Sequence, residues 1–197
     1  MGTVNLQDVI LTVKSAAPDA VLVSQLGSVS KDLYLNAHSS SNLYLLGGMG
    51  SVIPTAQGLA LSTSNHVIAL EGDGSLLMNL GTLATVSRYP CSNLVCVILS
   101  NGVYQNTGGQ PVSTVDYTTL AESLGLESFF DCYSIADLAR ALSDDSRAGP
   151  KVAVANVVAE DGAQGPFPLT PADIAKRFQA TKCIDHGARD MSPATER

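Results

Sequence analysis

Residues 67–104 read VIALEGDGSLLMNLGTLATVSRYPCSNLVCVILSNGVY. Two apolar runs, Val67-Ile68-Ala69-Leu70 and Leu94-Val95-Cys96-Val97-Ile98-Leu99, bracket a helical stretch from Leu76 to Arg88. That order predicts a strand–helix–strand unit, which in a parallel sheet brings the C-terminal ends of both strands to one edge. Gly72-Asp73-Gly74-Ser75 leaves the first run and Ser100-Asn101-Gly102-Val103-Tyr104 leaves the second. Asp73 and Asn101, 28 positions apart, are therefore expected to be close in space. A carboxylate and an amide oxygen at the mouth of a glycine turn are hard-oxygen ligands suited to Mg2+. The glycines let the backbone approach something bulky and charged, and Gly74 and Ser75 open the helix with unpaired N–H groups that can seat phosphate.

Working outward, helical spacing over residues 5–16 ends before Pro18, and the strand Ala20–Ser24 empties into Gly27-Ser28. A short helix over 30–37, the strand Leu43–Leu46, the turn Gly47-Gly48-Met49-Gly50 and a small-residue helix from Ile53 to Ser62 precede the central unit. After it come a loop from Gln105 to Thr114, helices over Asp116–Leu124 and Ser134–Leu142, and the strand Val152–Val158. Thr170, Pro171 and Asp173 mark the N-terminus of a last helix. Strands alternating with helices predict an α/β fold, a doubly wound and mainly parallel sheet of about five or six strands. Three successive strands end in Gly27-Ser28, Gly47–Gly50 and Gly72–Ser75, at the edge where ligands bind in such sheets. Residues 1–183 are expected to form one domain and 184–197, which lack a periodic apolar face, a disordered tail.

Composition narrows the function classes. At 45% hydrophobic and 15% charged residues the chain has the material for a core. A net charge of −7 with 11 basic residues argues against nucleic acid. No apolar run is long enough to span a membrane, and the first residues lack a basic-then-apolar leader pattern, so a cytoplasmic location is expected. Cys91, Cys96, Cys132 and Cys183 form no CxxC, which removes zinc and iron–sulfur readings. His38, His66 and His186 have no carboxylate or nucleophile at a useful spacing, and Gly-x-Ser-x-Gly is missing. Gly48-Met49-Gly50 is a partial dinucleotide fingerprint, but Ile53 stands where a third glycine belongs. Gly27-Ser28 is open to a plainer reading as a strand-to-helix turn with Ser28 as cap.

The spacing of Gly72-Asp73-Gly74 and Ser100-Asn101 resembles the diphosphate-binding half of thiamine-diphosphate enzymes, with Ser100 in place of the first residue of that family's Asn-Asn pair. The resemblance implies a cofactor site of Gly27, Ser28, Gly47, Gly48, Met49, Gly72, Asp73, Gly74, Ser75, Asn101, Val103 and Tyr104. Within it Asp73, Asn101 and the Val103 carbonyl would hold Mg2+, Met49 would prop the bent cofactor, and the Gly47 carbonyl would accept from its aminopyrimidine. Tyr104-Gln105-Asn106-Thr107-Gly108-Gly109-Gln110-Pro111 resembles a segment of phosphonopyruvate and sulfopyruvate decarboxylases, which implies that Asn106, Thr107 and Gln110 hold a substrate's distal anion.

By the same resemblance the chain is similar to the beta subunit of a two-subunit decarboxylase of small anionic 3-substituted pyruvates, releasing CO2 and an aldehyde. No catalytic side chain is expected from this chain. The activating glutamate and the pyrimidine-binding domain would come from an alpha-type partner, in a heterotetramer or larger assembly, because Glu71, Glu122, Glu127 and Glu160 are not suitably placed. A carboligating, acetolactate-synthase-like subunit and a non-catalytic cofactor-binding subunit are the alternatives. A 2-oxoacid:ferredoxin oxidoreductase subunit would want cluster-binding cysteines that the sequence does not offer.

Overall fold

The computed structural model describes residues 4–146, 149–160 and 165–181. The expected tail, Cys183 and His186 lie outside them. In chain order, α1 (Leu6–Ala16), β1 (Val21–Ser24), α2 (Ser28–Ala37), β2 (Leu43–Tyr44), α3 (Val52–Ser62) and β3 (Val67–Gly72) lead to α4 (Asp73–Leu76). Then come a 3-10 turn (Leu77–Asn79), α5 (Thr82–Arg88), β4 (Leu94–Ser100) and the strands β5 (Val103–Tyr104) and β6 (Gln110–Pro111). α6 (Tyr117–Leu124), β7 (Phe129–Cys132), α7 (Ile135–Ser143), β8 (Lys151–Asn156) and α8 (Pro171–Ala180) complete the described fold.

Six strands form one parallel sheet in the order β2-β1-β3-β4-β8-β7. Both faces are covered, which is why the central strands are continuous apolar runs without alternation. Leu22, Leu70, Val97 and Ala153 point to a core shared with α1, α2, α7 and α8. Their neighbours Val23, Ala69, Ile98 and Val154 point to a second core with α3, α5 and α6. The chain leaves β1 for β2 on one side and returns to β3 on the other, so the turns after β1 and β3 diverge at a switch point, the usual place for a ligand crevice.

Several boundaries differ from the sequence reading. The strand expected over 43–46 stops at Tyr44, because its neighbour β1 ends at Ser24; only Leu45 N–H still reaches the Ser24 carbonyl, at 2.9 Å. The helix expected over 76–88 starts earlier, at Asp73, and breaks into α4, a 3-10 turn and α5, with Gly81 at the α5 N-cap. Gln105–Thr114 is not plain loop, since β5 and β6 pair antiparallel around a 3-10 turn at Gln105–Thr107. Phe129–Cys132, which the sequence reading leaves unassigned, is an edge strand paired only with β8. Four residues bounded by a helix on either side carry too little periodicity to read. The last helix begins as expected, with Thr170 and Asp173 forming a reciprocal capping box. No helix among the described residues is long and apolar enough to cross a membrane.

Candidate functional site

Asp73 is 4% exposed and joins the turns after β3 and β4. Its Oδ1 accepts the Gly74 N–H at 2.7 Å, while Oδ2 accepts the Gly102 N–H at 2.8 Å and the Ser100 hydroxyl at 3.4 Å. The Gly74 N–H, part of the phosphate seat expected from the sequence, is therefore engaged by the carboxylate. Asn101 Oδ1 accepts the Val103 N–H at 3.0 Å, and its Nδ2 donates to Gln105 Oε1 at 3.1 Å. Asp73, Asn101 and Val103 line one cavity of about 250 Å³ at the switch point. Among the described residues that line it none is Lys, Arg or His, and three are acids: Asp32, Asp73 and Glu160. On its other side Asp73 borders a hollow shared with Tyr117, whose phenol burial and the Asp73 charge push up to about 12. Tyr117 thus stays neutral beside the carboxylate at ordinary pH.

Met49 reaches the cavity from a turn that lies beyond the end of β2. Gly50 anchors that turn: its N–H donates to Ser75 Oγ at 2.9 Å and its carbonyl accepts from Asn79 Nδ2 at 3.0 Å. The Ser75 hydroxyl in turn donates to Glu71 Oε1, and Glu71 Oε2 accepts the Val52 and Ile53 N–H groups at 3.0 and 3.2 Å. Glu71 is fully buried. Burial pushes its carboxyl above the ordinary value, against hydrogen bonds from Ser75 and from the backbone of Ile53 and Val52. Gln25, in the turn after β1, accepts the Gly72 N–H on its Oε1 at 2.8 Å.

The structure brings Ser28, Met49, Gly72, Gly74, Ser75 and Tyr104 to the same cavity as the three expected metal ligands, with Asn106 and Thr107 beside them. Gly27, Gly47, Gly48 and Gln110 are not among its lining residues. Gly47 and Gly48 are exposed, and Gln110 is exposed and folded back on Thr107, whose carbonyl it reaches at 2.9 Å. Ser28 is the first residue of α2 rather than its cap; Gly27 is the N-cap, and no side chain caps that end. Sequence reasoning missed Gln25, Asn79 and the structural part played by Glu71. Only Glu71 left a signal, an acid directly continuing an apolar run, since a carboxylate in a buried strand needs donors. Gly27 sits at φ 83° and ψ −140°, and an added Cβ would lie 2.1 Å from Asn106 Nδ2. Gly27→Ala is expected to cost about 1–3 kcal/mol, chiefly for the backbone because Asn106 can turn aside, read as a lowered thermal midpoint.

Residues 26–157, from the turn after β1 to just past β8, match the family described as thiamine pyrophosphate enzyme, C-terminal TPP binding domain, and the chain belongs to that family. Particular relatives sharpen this. The chain is 38% identical over 167 residues to phosphonopyruvate decarboxylase of Streptomyces viridochromogenes, a match covering 82% of this chain and 42% of that protein. It is 31% identical over 175 residues to sulfopyruvate decarboxylase subunit beta of Methanococcus maripaludis, covering 87% of this chain and 94% of that subunit. Among solved structures, the thiamine diphosphate-dependent 4-hydroxybenzoylformate decarboxylase of Rhodococcus jostii aligns with a TM-score of 0.67 at 26% identity, over 79% of this chain and 33% of that one. The chain thus spans less than half of the Streptomyces protein and nearly all of the Methanococcus subunit.

Proposed function

We propose that this chain is the diphosphate- and Mg2+-binding subunit of a cytoplasmic, two-subunit thiamine-diphosphate-dependent decarboxylase acting on a small anionic 3-substituted pyruvate of the phosphonopyruvate or sulfopyruvate type. The observation that carries it is the meeting of Asp73, Asn101 and Val103 at one cavity lined, among the described residues, by no basic side chain. A diphosphate entering a cavity bordered by three acids meets repulsion unless a divalent cation offsets it. The donors fit such an ion: one carboxylate, one amide oxygen and one main-chain carbonyl. Asp73 Oδ1 and Asn101 Oδ1, each of which accepts a single N–H, keep a further lone pair.

When bound, thiamine diphosphate supplies the electron sink for loss of CO2 from the 2-oxo acid. This chain's part is to hold and shape. Asp73, Asn101 and the Val103 carbonyl would hold the metal, and the unbranched Met49 side chain would support the ring. Asn106 offers a neutral donor to the substrate's distal anion, and Thr107, whose hydroxyl donates to Gln110 Oε1 at 3.2 Å, would release that bond to do the same. A full positive charge for that anion, and the glutamate that activates the aminopyrimidine, come from an alpha-type partner carrying the pyrimidine-binding domain, in a heterotetramer or larger assembly. Two features support a partner: the subunit-beta name of the Methanococcus relative, and a cavity smaller than the ~300–1,000 Å³ of complete ligand pockets.

The test is reconstitution with that partner, thiamine diphosphate and Mg2+. CO2 and aldehyde released from 3-phosphonopyruvate or 3-sulfopyruvate are expected, and turnover is expected to vanish when either subunit or the metal is left out. A ligated product in place of the aldehyde would move the reading to a carboligase. Silence with every 2-oxo acid would leave a non-catalytic binding subunit.

A further inference from the structure

We infer that Glu71 is a positioning residue that holds the Met49 turn at a set distance from the Asp73 turn, so that one strand end governs both the ring-supporting and the metal-binding parts of the site. The inference rests on the cofactor reading above, and its geometry is independent of any ligand. β2 ends at Tyr44, so the sheet does not hold Met49 in place. The turn carrying Met49 has glycines at φ 71° and 79° on either side of it, Gly48 and Gly50, and needs outside anchors to keep one shape. Its nearest regular element, α3, has no side-chain cap from its own Ser51. Glu71 takes over that duty from β3, accepting the Val52 and Ile53 N–H groups. Its second oxygen receives the Ser75 hydroxyl, and Ser75 Oγ accepts the Gly50 N–H at 2.9 Å. One buried carboxylate thereby serves two backbone donors directly and a third through Ser75, all within four residues of Met49. Glu71 itself lies on β3, two residues before Asp73 opens α4.

An amide cannot repeat this arrangement. In Glu71→Gln one oxygen can still take the two N–H groups, but the NH2 points at Ser75 Oγ, which is already an acceptor for Gly50. The Ser75 proton then loses its acceptor and the tie to Gly50 weakens. Ser75→Ala cuts the same tie with little change in volume and leaves the Ser75 backbone in place.

The experiment compares two probes in the full chain assembled with its partner: Mg2+ with inorganic pyrophosphate, which needs only the metal turn, and Mg2+ with thiamine diphosphate, which needs the Met49 turn as well. Glu71→Gln is expected to weaken thiamine diphosphate about tenfold while pyrophosphate stays within about twofold; Ser75→Ala, at a residue that itself lines the cavity, is read by hydrogen exchange alone. Hydrogen exchange is expected to quicken at the Gly50, Val52 and Ile53 amides and to hold steady in β3 and β4. Equal losses for both probes, or faster exchange throughout the core, would mean a structural role only and overturn the inference. So would unchanged affinity for thiamine diphosphate in Glu71→Gln. If the unmutated assembly binds neither probe, it is the cofactor reading itself that fails, a result distinct from the others.

Discussion

Asp73→Asn is expected to lower Mg2+-dependent binding of thiamine diphosphate by at least about a hundredfold, or about 2.8 kcal/mol, while leaving a folded chain. Asp73 is the one charged group among the three proposed ligands, and two neutral oxygens hold a divalent ion poorly. The choice of Asn over Ala follows from the geometry. Asp73 also satisfies the Gly74 and Gly102 N–H groups, at 2.7 and 2.8 Å, so Ala would leave two donors in a 4%-exposed place without an acceptor. Each such orphan costs about 1–3 kcal/mol, and Asp73→Ala is expected to lose stability as well as ligand. Asn keeps the shape and one acceptor, so one N–H instead of two loses its partner and about half of that stability loss is avoided. Calorimetric titration alongside thermal unfolding checks this. Affinity within a few-fold of the unmutated chain would remove Asp73 from the metal site.

Gly74→Ala is expected to be nearly as damaging, for steric reasons. A Cβ on Gly74 would stand 2.4 and 2.7 Å from Tyr104 Cε1 and Cδ1, with Val112 Cγ2 at 3.0 Å. A ring packed against a turn yields by moving its own backbone. Tyr104 adjoins Val103, so displacement carries the carbonyl proposed for the metal. Overpacking of this kind costs about 1–3 kcal/mol, and a chain of this size loses about 2–4 °C in midpoint per kcal/mol. Cofactor affinity is expected to fall at least about tenfold with it. Gly81→Ala is the control: its methyl meets nothing within 4 Å, and at φ −58° the substitution is expected to hold or raise the midpoint. A Gly74→Ala protein as stable and as tightly binding as the control would show that Tyr104 yields freely.

The two turns that frame the site were legible because each follows a strand written as an uninterrupted apolar run. Val67–Leu70 and Leu94–Leu99 contain no polar residue that could have faced water, so a sheet covered on both sides was the natural reading. The handedness of the crossover then put Asp73 and Asn101 at one edge. Less was visible where an element depends on its neighbour. How far β2 runs is decided by where β1 stops, and β7 exists because β8 has a free side for it.

From sequence alone came the doubly wound parallel sheet, the edge at which ligands belong, and the acid and amide that share it. These follow from local pattern combined with one topological rule, and that is why they could be read in order along the chain. Tertiary structure alone decided that Ser75 and Glu71 bind the Met49 turn to β3, that Gln25 secures Gly72, and that the described residues lining the cavity are neutral or acidic. Glu71 and Val52 stand 19 positions apart, and Gln25 and Gly72 stand 47 apart. Hydrogen bonds over such separations leave no periodicity in the residues that make them, because their partners are chosen only when the folded backbone brings donor and acceptor within reach.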